Sequence, residues 1–337
     1  MTPFRAWAAT TPGGALQRFE VDPGPLGAEE VEIAVEHCGI CHSDLALIDS
    51  EWGASTYPLV PGHEVVGRVV ALGPQAKGLV AGQRVGVGWH AASCMHCRPC
   101  IGGEQHLCAQ RQPTIVGRHG GFADRVRAHW GWALPIPETL DPATAGPLMC
   151  GGITVFSPLL IHGVKPLDRV GVVGIGGLGH LALKFARAWG CEVTAFTSTP
   201  AKREEALALG AHRCVSSVDR AEMKAIAGSL DFVLVTVGAA LEWDALMGTL
   251  APKGRLHLVG VVTEGLKLRT GSLMSWQRSV SASPTGSPAA IADMLGFAAR
   301  HRIGAQVERF PMSRVNDAIA HLRSGRARYR VVLDADA

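Results

Sequence analysis

The sequence predicts an α/β protein of two domains, one a doubly wound parallel sheet wrapped by helices and the other mostly β. Three observations carry this. Strand and helix patterns alternate from about residue 151 to 286, a glycine-rich turn sits at the first strand-to-helix junction, and before residue 150 the apolar runs are short, end in glycine and lack a helical period. A chain of 337 residues is long enough for two cores of ordinary size.

Taken in order, "VEIAVEHCGI" alternates apolar and polar residues, "VVGRVVALG" and "GQRVGVGW" are short apolar runs closed by glycine, and "GGFADRVRAHW" continues the style. Near residue 150 the rhythm changes. "RVGVVG" (169–174) precedes an amphipathic helix with Leu178, Leu181, Ala182, Phe185, Ala186 and Trp189 on one face. "EVTAFT" (192–197) precedes the helical "AKREEALALG", "DFVLVT" (231–236) precedes "ALEWDALMGTL", and "RLHLVG" (255–260) closes the series. A helix, "AAIADMLGFAARHRI", and a last strand, "YRVVLD", then return the chain to the first domain. The expected division is residues 1–150 with 287–337 against 151–286, with no internal repeat.

Composition narrows the function. Hydrophobic residues make up 47% and charged residues 18%, as in a compact globular protein. The 32 basic and 29 acidic side chains are scattered without a run or tail, which argues against nucleic acid or membrane surfaces as partners. "MTPFRAWAATTPGG" lacks the charged leader, apolar stretch and cleavage site of an exported chain, so the cytoplasm is the expected location. In a reducing compartment, clustered cysteines bind metal or do redox chemistry more often than they form disulfides.

The turn after "RVGVV" carries Gly174, Gly176 and Gly179 in GxGxxG spacing, with Gly177 and Leu178 between the last two. Such glycines let a pyrophosphate approach backbone N–H groups where a helix begins. An NAD site usually places a carboxylate about 20 residues further on, to bond the ribose hydroxyls. Here stand Thr197, Ser198 and Thr199, then Lys202 and Arg203. Hydroxyls and cations suit a 2′-phosphate, so the expected cofactor is NADP(H); taken singly, Lys202 and Arg203 would also read as solvated helix residues.

"CMHCRPCIGGEQHLC" holds Cys94, Cys97, Cys100 and Cys108, four of nine cysteines, at a spacing that suits a closed tetrahedral zinc site. An iron–sulfur cluster is the rival, but its bacterial run has three residues before the last Cys and a Pro after it, whereas Ala109 follows Cys108. A closed zinc holds a loop and activates nothing. Chemistry needs a second site with an open position, for which "CGICHSD", "PGHE" and "PLMCGGITVFSPL" offer donors that spacing alone does not select. Cys38 with Cys41 also fits a redox CxxC.

"GICHSD", "PGHEVVG", the four-cysteine lobe, "GGFA", "CGGITVFSPL" and "VGVVGIGGLGHLALKFA" stand in the order they have in the zinc-dependent medium-chain alcohol dehydrogenases. The chain resembles that family over essentially its whole length, most of all its cinnamyl alcohol dehydrogenase branch and the bacterial NADPH-dependent aldehyde reductases. The resemblance implies a GroES-like domain holding two zincs, a Rossmann domain for NADP(H), and a homodimer. It implies Cys41, His63 and Cys150 as ligands of a catalytic zinc, with Glu64 as a carboxylate that coordinates transiently and Asp44 orienting His63. Ser43 would bond the substrate oxygen, Thr154 would pack behind the nicotinamide, and His42 would lie near the pyrophosphate. Trp52 and Trp89 match aromatic positions of the substrate pocket, though each also reads as a core tryptophan. One departure stands out: many relatives carry a proton-relaying His where this chain has Ala46.

The expected reaction is reversible hydride transfer between NADPH and aldehydes, whether aromatic, cinnamyl-like or aliphatic, with cellular NADPH supply favouring reduction. A polyol or amino-alcohol dehydrogenase on this scaffold would favour a carboxylate in place of Cys150 and an acid near residue 198. A non-catalytic NADP(H) or redox sensor is the rival from another class, and an intact open metal site argues against it.

Overall fold

Residues 2–336 are described by a computed structural model. They form two compact units, one taking the chain up to Ile153 and again from Thr285 onward, the other Thr154–Pro284.

The first unit is built on an antiparallel sheet. The long strand Glu30–Ile40 pairs with Glu64–Leu72 and, on its other side, with the C-terminal strand Arg330–Asp334; Arg84–Val87, Arg125–His129 and Val307–Pro311 extend the sheet. Val31, Ile33, Val65, Val69, Val85 and Val126 point into one core, the alternation that "VEIAVEHCGI" promises for a strand with one buried face. Register decides where the chemistry sits. Gly39 lies opposite Glu64 and Ile40 opposite Val331, so three strand ends deliver Cys41, His63 with Glu64, and Arg330 to one place.

The second unit is a six-stranded parallel sheet in the order Arg213–Ser216, Glu192–Thr197, Arg169–Val173, Leu230–Val235, Leu250–Leu258, Ser279–Ala282. The chain begins at Arg169–Val173, builds outward one way, and then returns to pair Leu230–Val235 on the other side of that first strand. This reversal is the switch point at which doubly wound sheets bind ligands, and the glycine turn opens beside it. In the helix Gly179–Trp189, Leu181, Ala182, Phe185 and Ala186 are buried.

Two strands escape the sequence pattern. Arg213–Ser216 is only four residues long, and Ser279–Ala282 is a serine-bearing edge strand with no fully buried residue, so neither shows an apolar run. "RLHLVG" therefore does not close the series. The helix Val315–Arg323 and the strand Val307–Pro311 were likewise unmarked, and the helix expected in "AKREEALALG" shrinks to Arg203–Ala208 behind a 3-10 turn. Among the described residues no single helix is long and apolar enough to cross a membrane.

The glycine turn gives a sharp test. A Cβ on Gly179 would lie 1.8 Å from the Gly174 carbonyl oxygen, a backbone atom that cannot swing aside, whereas a Cβ on Gly176 would meet nothing within 4 Å. Gly179→Ala should destabilise the protein by about 3 kcal/mol or more in urea unfolding. Gly176→Ala should leave stability unchanged and instead weaken NADPH binding, measured by nucleotide fluorescence.

Candidate functional site

Cys41 ends the strand Glu30–Ile40 and caps the short helix His42–Ile48. Asp44, in the first turn of that helix and fully buried, turns its carboxylate back: Oδ2 accepts from the Cys41 backbone N–H at 2.8 Å, while Oδ1 accepts from the Gly62 N–H at 2.8 Å and from His63 Nδ1 at 2.9 Å. A buried carboxylate accepts and never donates, so Nδ1 carries an N–H towards Asp44 and Nε2 is the nitrogen left to face the other donors. Nε2 stands 3.3 Å from Cys150 Sγ. Cys150 arrives from the segment before the helix Gly151–Ile161.

Donor atoms of Cys41, His63, Glu64 and Cys150 all lie within 4.8 Å of one another, and all four residues are buried. Glu64 Oε1 pairs with the Arg330 guanidinium; its Oε2 is buried without a partner and faces Gly39, where even one added carbon would collide with it. The electrostatics are those of a crowded donor set. The Cys150 hydrogen bond and the Arg330 charge hold the Cys41 thiol well below the usual range, while that same bond, together with burial, pushes Cys150 up. Burial would lower His63, but the Asp44 charge and hydrogen bond carry it well above the usual imidazole value. Burial lifts Glu64 to about 7 against the pull of Arg330. Two thiols, one imidazole and a carboxylate oxygen are four donors of the kinds zinc takes, and with the carboxylate withdrawn three remain, the number of protein ligands at an open site.

Cys94, Cys97, Cys100 and Cys108 form the second cluster, with sulfur separations of 3.5 Å (Cys94 to Cys108), 3.7 Å (Cys97 to Cys108) and 3.9 Å (Cys94 to Cys100). Four thiolates at 2.3 Å from one tetrahedral centre stand about 3.8 Å apart. Sulfurs that each bound a different iron of a cluster would not touch one another in this way. The lobe therefore fits one zinc and offers it no open position.

In the second unit Gly174 turns the chain at φ 90°, and Gly176 and Gly177 are partly exposed in the turn, with Leu178 at the head of the helix. Lys202 reaches this turn, its Nζ donating to the Ile175 carbonyl at 2.7 Å. Ser198 and Thr199 are exposed at the end of the strand Glu192–Thr197. Two expected residues are not brought to this cluster. Thr197 is buried, and its hydroxyl accepts from the Thr199 N–H at 3.1 Å. Arg203 turns away, gripping both oxygens of Glu222 at 2.6 and 2.7 Å.

The aromatic residues line up behind His63. Trp89 meets the His63 ring edge-on at 5.0 Å, and Trp52 meets Trp89 at 6.2 Å in a T-shape. Ser43 Oγ lies 3.9 Å from Cys41 Sγ, His42 beside it is exposed, Ala46 is fully buried, and Thr154 is 7% exposed within the helix after Cys150. Sequence reasoning missed Arg330. The signal was a charge at the head of the apolar run in "RVVLD".

These features are those of a dehydrogenase with two candidate metal centres and a dinucleotide fold. The alcohol dehydrogenase GroES-like domain matches residues 27–138, and the zinc-binding dehydrogenase domain matches residues 177–300. The chain is 54% identical to the aldehyde reductase AdhA of Synechocystis over 330 residues, 98% of each chain. It is similar to the solved cinnamyl alcohol dehydrogenase SbCAD4 of Sorghum bicolor, with TM-score 0.95, 38% identity and coverage of 99% of this chain and 98% of that one. A cinnamyl alcohol dehydrogenase of Helicobacter pylori solved with NADP(H) is similar at TM-score 0.90 and 27% identity, with coverage of 99% and 98%. The chain belongs to the zinc-dependent medium-chain alcohol dehydrogenase family, in its cinnamyl alcohol dehydrogenase branch.

Removing the Asp44 charge should uncouple the two centres. Asp44→Asn leaves a buried amide N–H among donors, and loss of such a partner to a metal-bound His typically costs 10- to 100-fold in metal affinity. Zinc content after dialysis against a chelator should fall from two per chain to one, with the Cys94 lobe retained. Cys100→Ser should instead empty the lobe and lower the melting temperature, because a closed site contributes folding energy.

Proposed function

We propose that this protein is a zinc-dependent aldehyde reductase that uses NADP(H), interconverting aldehydes and primary alcohols, and that Cys41, His63 and Cys150 hold its catalytic metal with Glu64 in reserve. The observation that carries this reading is the convergence of those four buried donors within 4.8 Å, with Asp44 fixing the tautomer of His63. When bound, zinc polarises the carbonyl oxygen as a Lewis acid and NADPH supplies the hydride.

The chain's own residues do the rest. Ser43, in the first turn of the helix, donates its hydroxyl proton to the substrate oxygen as the carbonyl carbon is reduced. Ala46 is fully buried and has nothing to titrate, so the hydroxyl is reprotonated by a route that bypasses position 46. Trp52 and Trp89 form an apolar wall beside His63 that favours flat cinnamyl or aryl groups and tolerates alkyl chains. In the second unit the glycine turn receives the pyrophosphate, while Ser198, Thr199 and Lys202 sort NADP(H) from NAD(H). His42 is assigned to the pyrophosphate, and Thr154 to the nicotinamide, on family resemblance alone. The same resemblance supports a homodimer, which light scattering of the purified protein checks, and the cytoplasm is the location we propose for it.

Zinc analysis with an assay of NADPH consumption on an aldehyde panel tests the reading; a protein with full zinc that reduces none of them overturns it. NADPH should exceed NADH by at least about tenfold in kcat/KM, since charge-assisted hydrogen bonds contribute about 1.5 to 3 kcal/mol each. Ser198→Asp with Lys202→Ala should erode that preference, whereas Arg203→Ala should affect stability more than cofactor choice, because Arg203 is bound to Glu222.

Ser43→Ala should lower the rate of the chemical step by about 10²- to 10⁴-fold while NADPH binding persists. Near-normal kcat with hydride transfer shown to be rate-limiting would exclude Ser43 as the donor.

A further inference from the structure

Between the helix His42–Ile48 and the strand Glu64–Leu72 the chain makes an arch, residues 49–57, that carries Trp52. The arch has almost no core of its own. Glu51, Gly53, Ala54 and Thr56 are exposed, and Ser50 turns the backbone at φ 58°. What shapes it is a set of polar ties to the end of the helix that begins at Cys41.

A helix end leaves its last carbonyls without intrahelical partners. Here the Ile48 carbonyl accepts from the Gly13 N–H at 2.9 Å and the Leu47 carbonyl from the Ser50 N–H at 3.2 Å, and two side-chain hydroxyls from the far foot of the arch add a second donor to each. Ser55 Oγ donates to the Leu47 carbonyl at 2.6 Å, and the Tyr57 hydroxyl donates to the Ile48 carbonyl at 2.7 Å, with the Leu47 carbonyl 3.2 Å away. At the near foot the Arg323 guanidinium grips both oxygens of Asp49 at 2.7 and 2.8 Å. The arch is thus pinned at both feet, and its one large apolar side chain is set against Trp89, which stands against His63.

We propose that Tyr57, assisted by Ser55, is a specificity-determining positioning residue: its hydroxyl latches the arch onto the catalytic helix and so holds Trp52 as the wall that selects ring-bearing aldehydes over short ones. This rests on the aldehyde reductase reading, in which Trp52 and Trp89 bound the substrate. Tyr57 touches no reacting atom. Without its hydroxyl the foot of the arch is freed, Trp52 samples several positions, and a flat substrate must order it on binding, which raises KM and leaves the chemical step alone.

The test compares cinnamaldehyde with propanal in Tyr57→Phe, which keeps the ring and removes only the hydroxyl. KM for cinnamaldehyde should rise about fivefold, the usual effect of one lost hydrogen bond, with kcat for both substrates and KM for propanal unchanged. Ser55→Ala should shift the same ratio in the same direction, and it decides the matter if Tyr57→Phe fails to fold. In a Trp52→Ala background Tyr57→Phe should have no further effect on the ratio, since both changes act through one side chain. An unchanged cinnamaldehyde-to-propanal ratio, or equal losses on both substrates, overturns the latch. If the unmodified protein reduces neither aldehyde, the functional reading fails, and the latch is then judged by acrylamide quenching of the Trp52 emission, taken as the difference from Trp52→Phe. Greater quenching in Tyr57→Phe supports the latch, and equal quenching overturns it.

Discussion

The Asp44 carboxylate is the interaction on which the first unit turns. A charge with no solvent contact is tolerated only where it is fully hydrogen-bonded, and Asp44 meets that condition through three donors from two chain segments: the N–H of Cys41 at the head of its own helix, and the N–H of Gly62 with the ring of His63 from the approach to the next strand. The bonds form only when the strands Glu30–Ile40 and Glu64–Leu72 pair in the observed register. Satisfying one buried charge therefore fixes a helix start, a turn, a sheet register and the facing of a metal ligand together.

The C-terminal strand completes what Asp44 begins. Glu64 begins its strand opposite Gly39, and Arg330 begins its own beside Ile40, so a carboxylate and a guanidinium from residues 266 positions apart meet next to Cys41. The pairing explains why the chain comes back to the first unit after the second is finished. Without Arg330 the Glu64 carboxylate would lose the largest positive charge that offsets its burial beside the Cys41 thiol.

The ordered motifs make most of this legible in the sequence. The alternation of "VEIAVEHCGI" and the glycines before "GHLALKFARAW" follow from local rules, since a strand, a turn and a helix start are decided by near neighbours, whereas the donors in "GICHSD" and "PGHE" are singled out only by the resemblance. What stays hidden is decided at a distance. Arg203 and Lys202 look alike beside a missing acid, yet Glu222, from a helix nineteen residues on, claims Arg203 and leaves Lys202 to the glycine turn. Ser279–Ala282 has no apolar run because an edge strand has only one paired neighbour and little to bury. Arg330 reads as a surface charge until the sheet places it over Glu64.

The two cysteine-bearing clusters use similar donors to opposite ends, and the difference lies in sequence separation and burial. All four sulfurs of the lobe come from one fifteen-residue stretch, Cys94 to Cys108, so a metal there closes a short loop whether or not distant segments have docked. The donors at Cys41, His63, Glu64 and Cys150 span more than a hundred residues and are buried, so that cluster exists only once the first unit has folded. Long-range assembly also leaves it incompletely satisfied, since the Glu64 Oε2 atom has no partner while Oε1 is held by Arg330. In the proposed site, a carboxylate anchored through one oxygen and free at the other would yield its place to a substrate without leaving the cluster. On that reading, burial and long-range assembly separate a centre that would turn over from one that would only hold a loop.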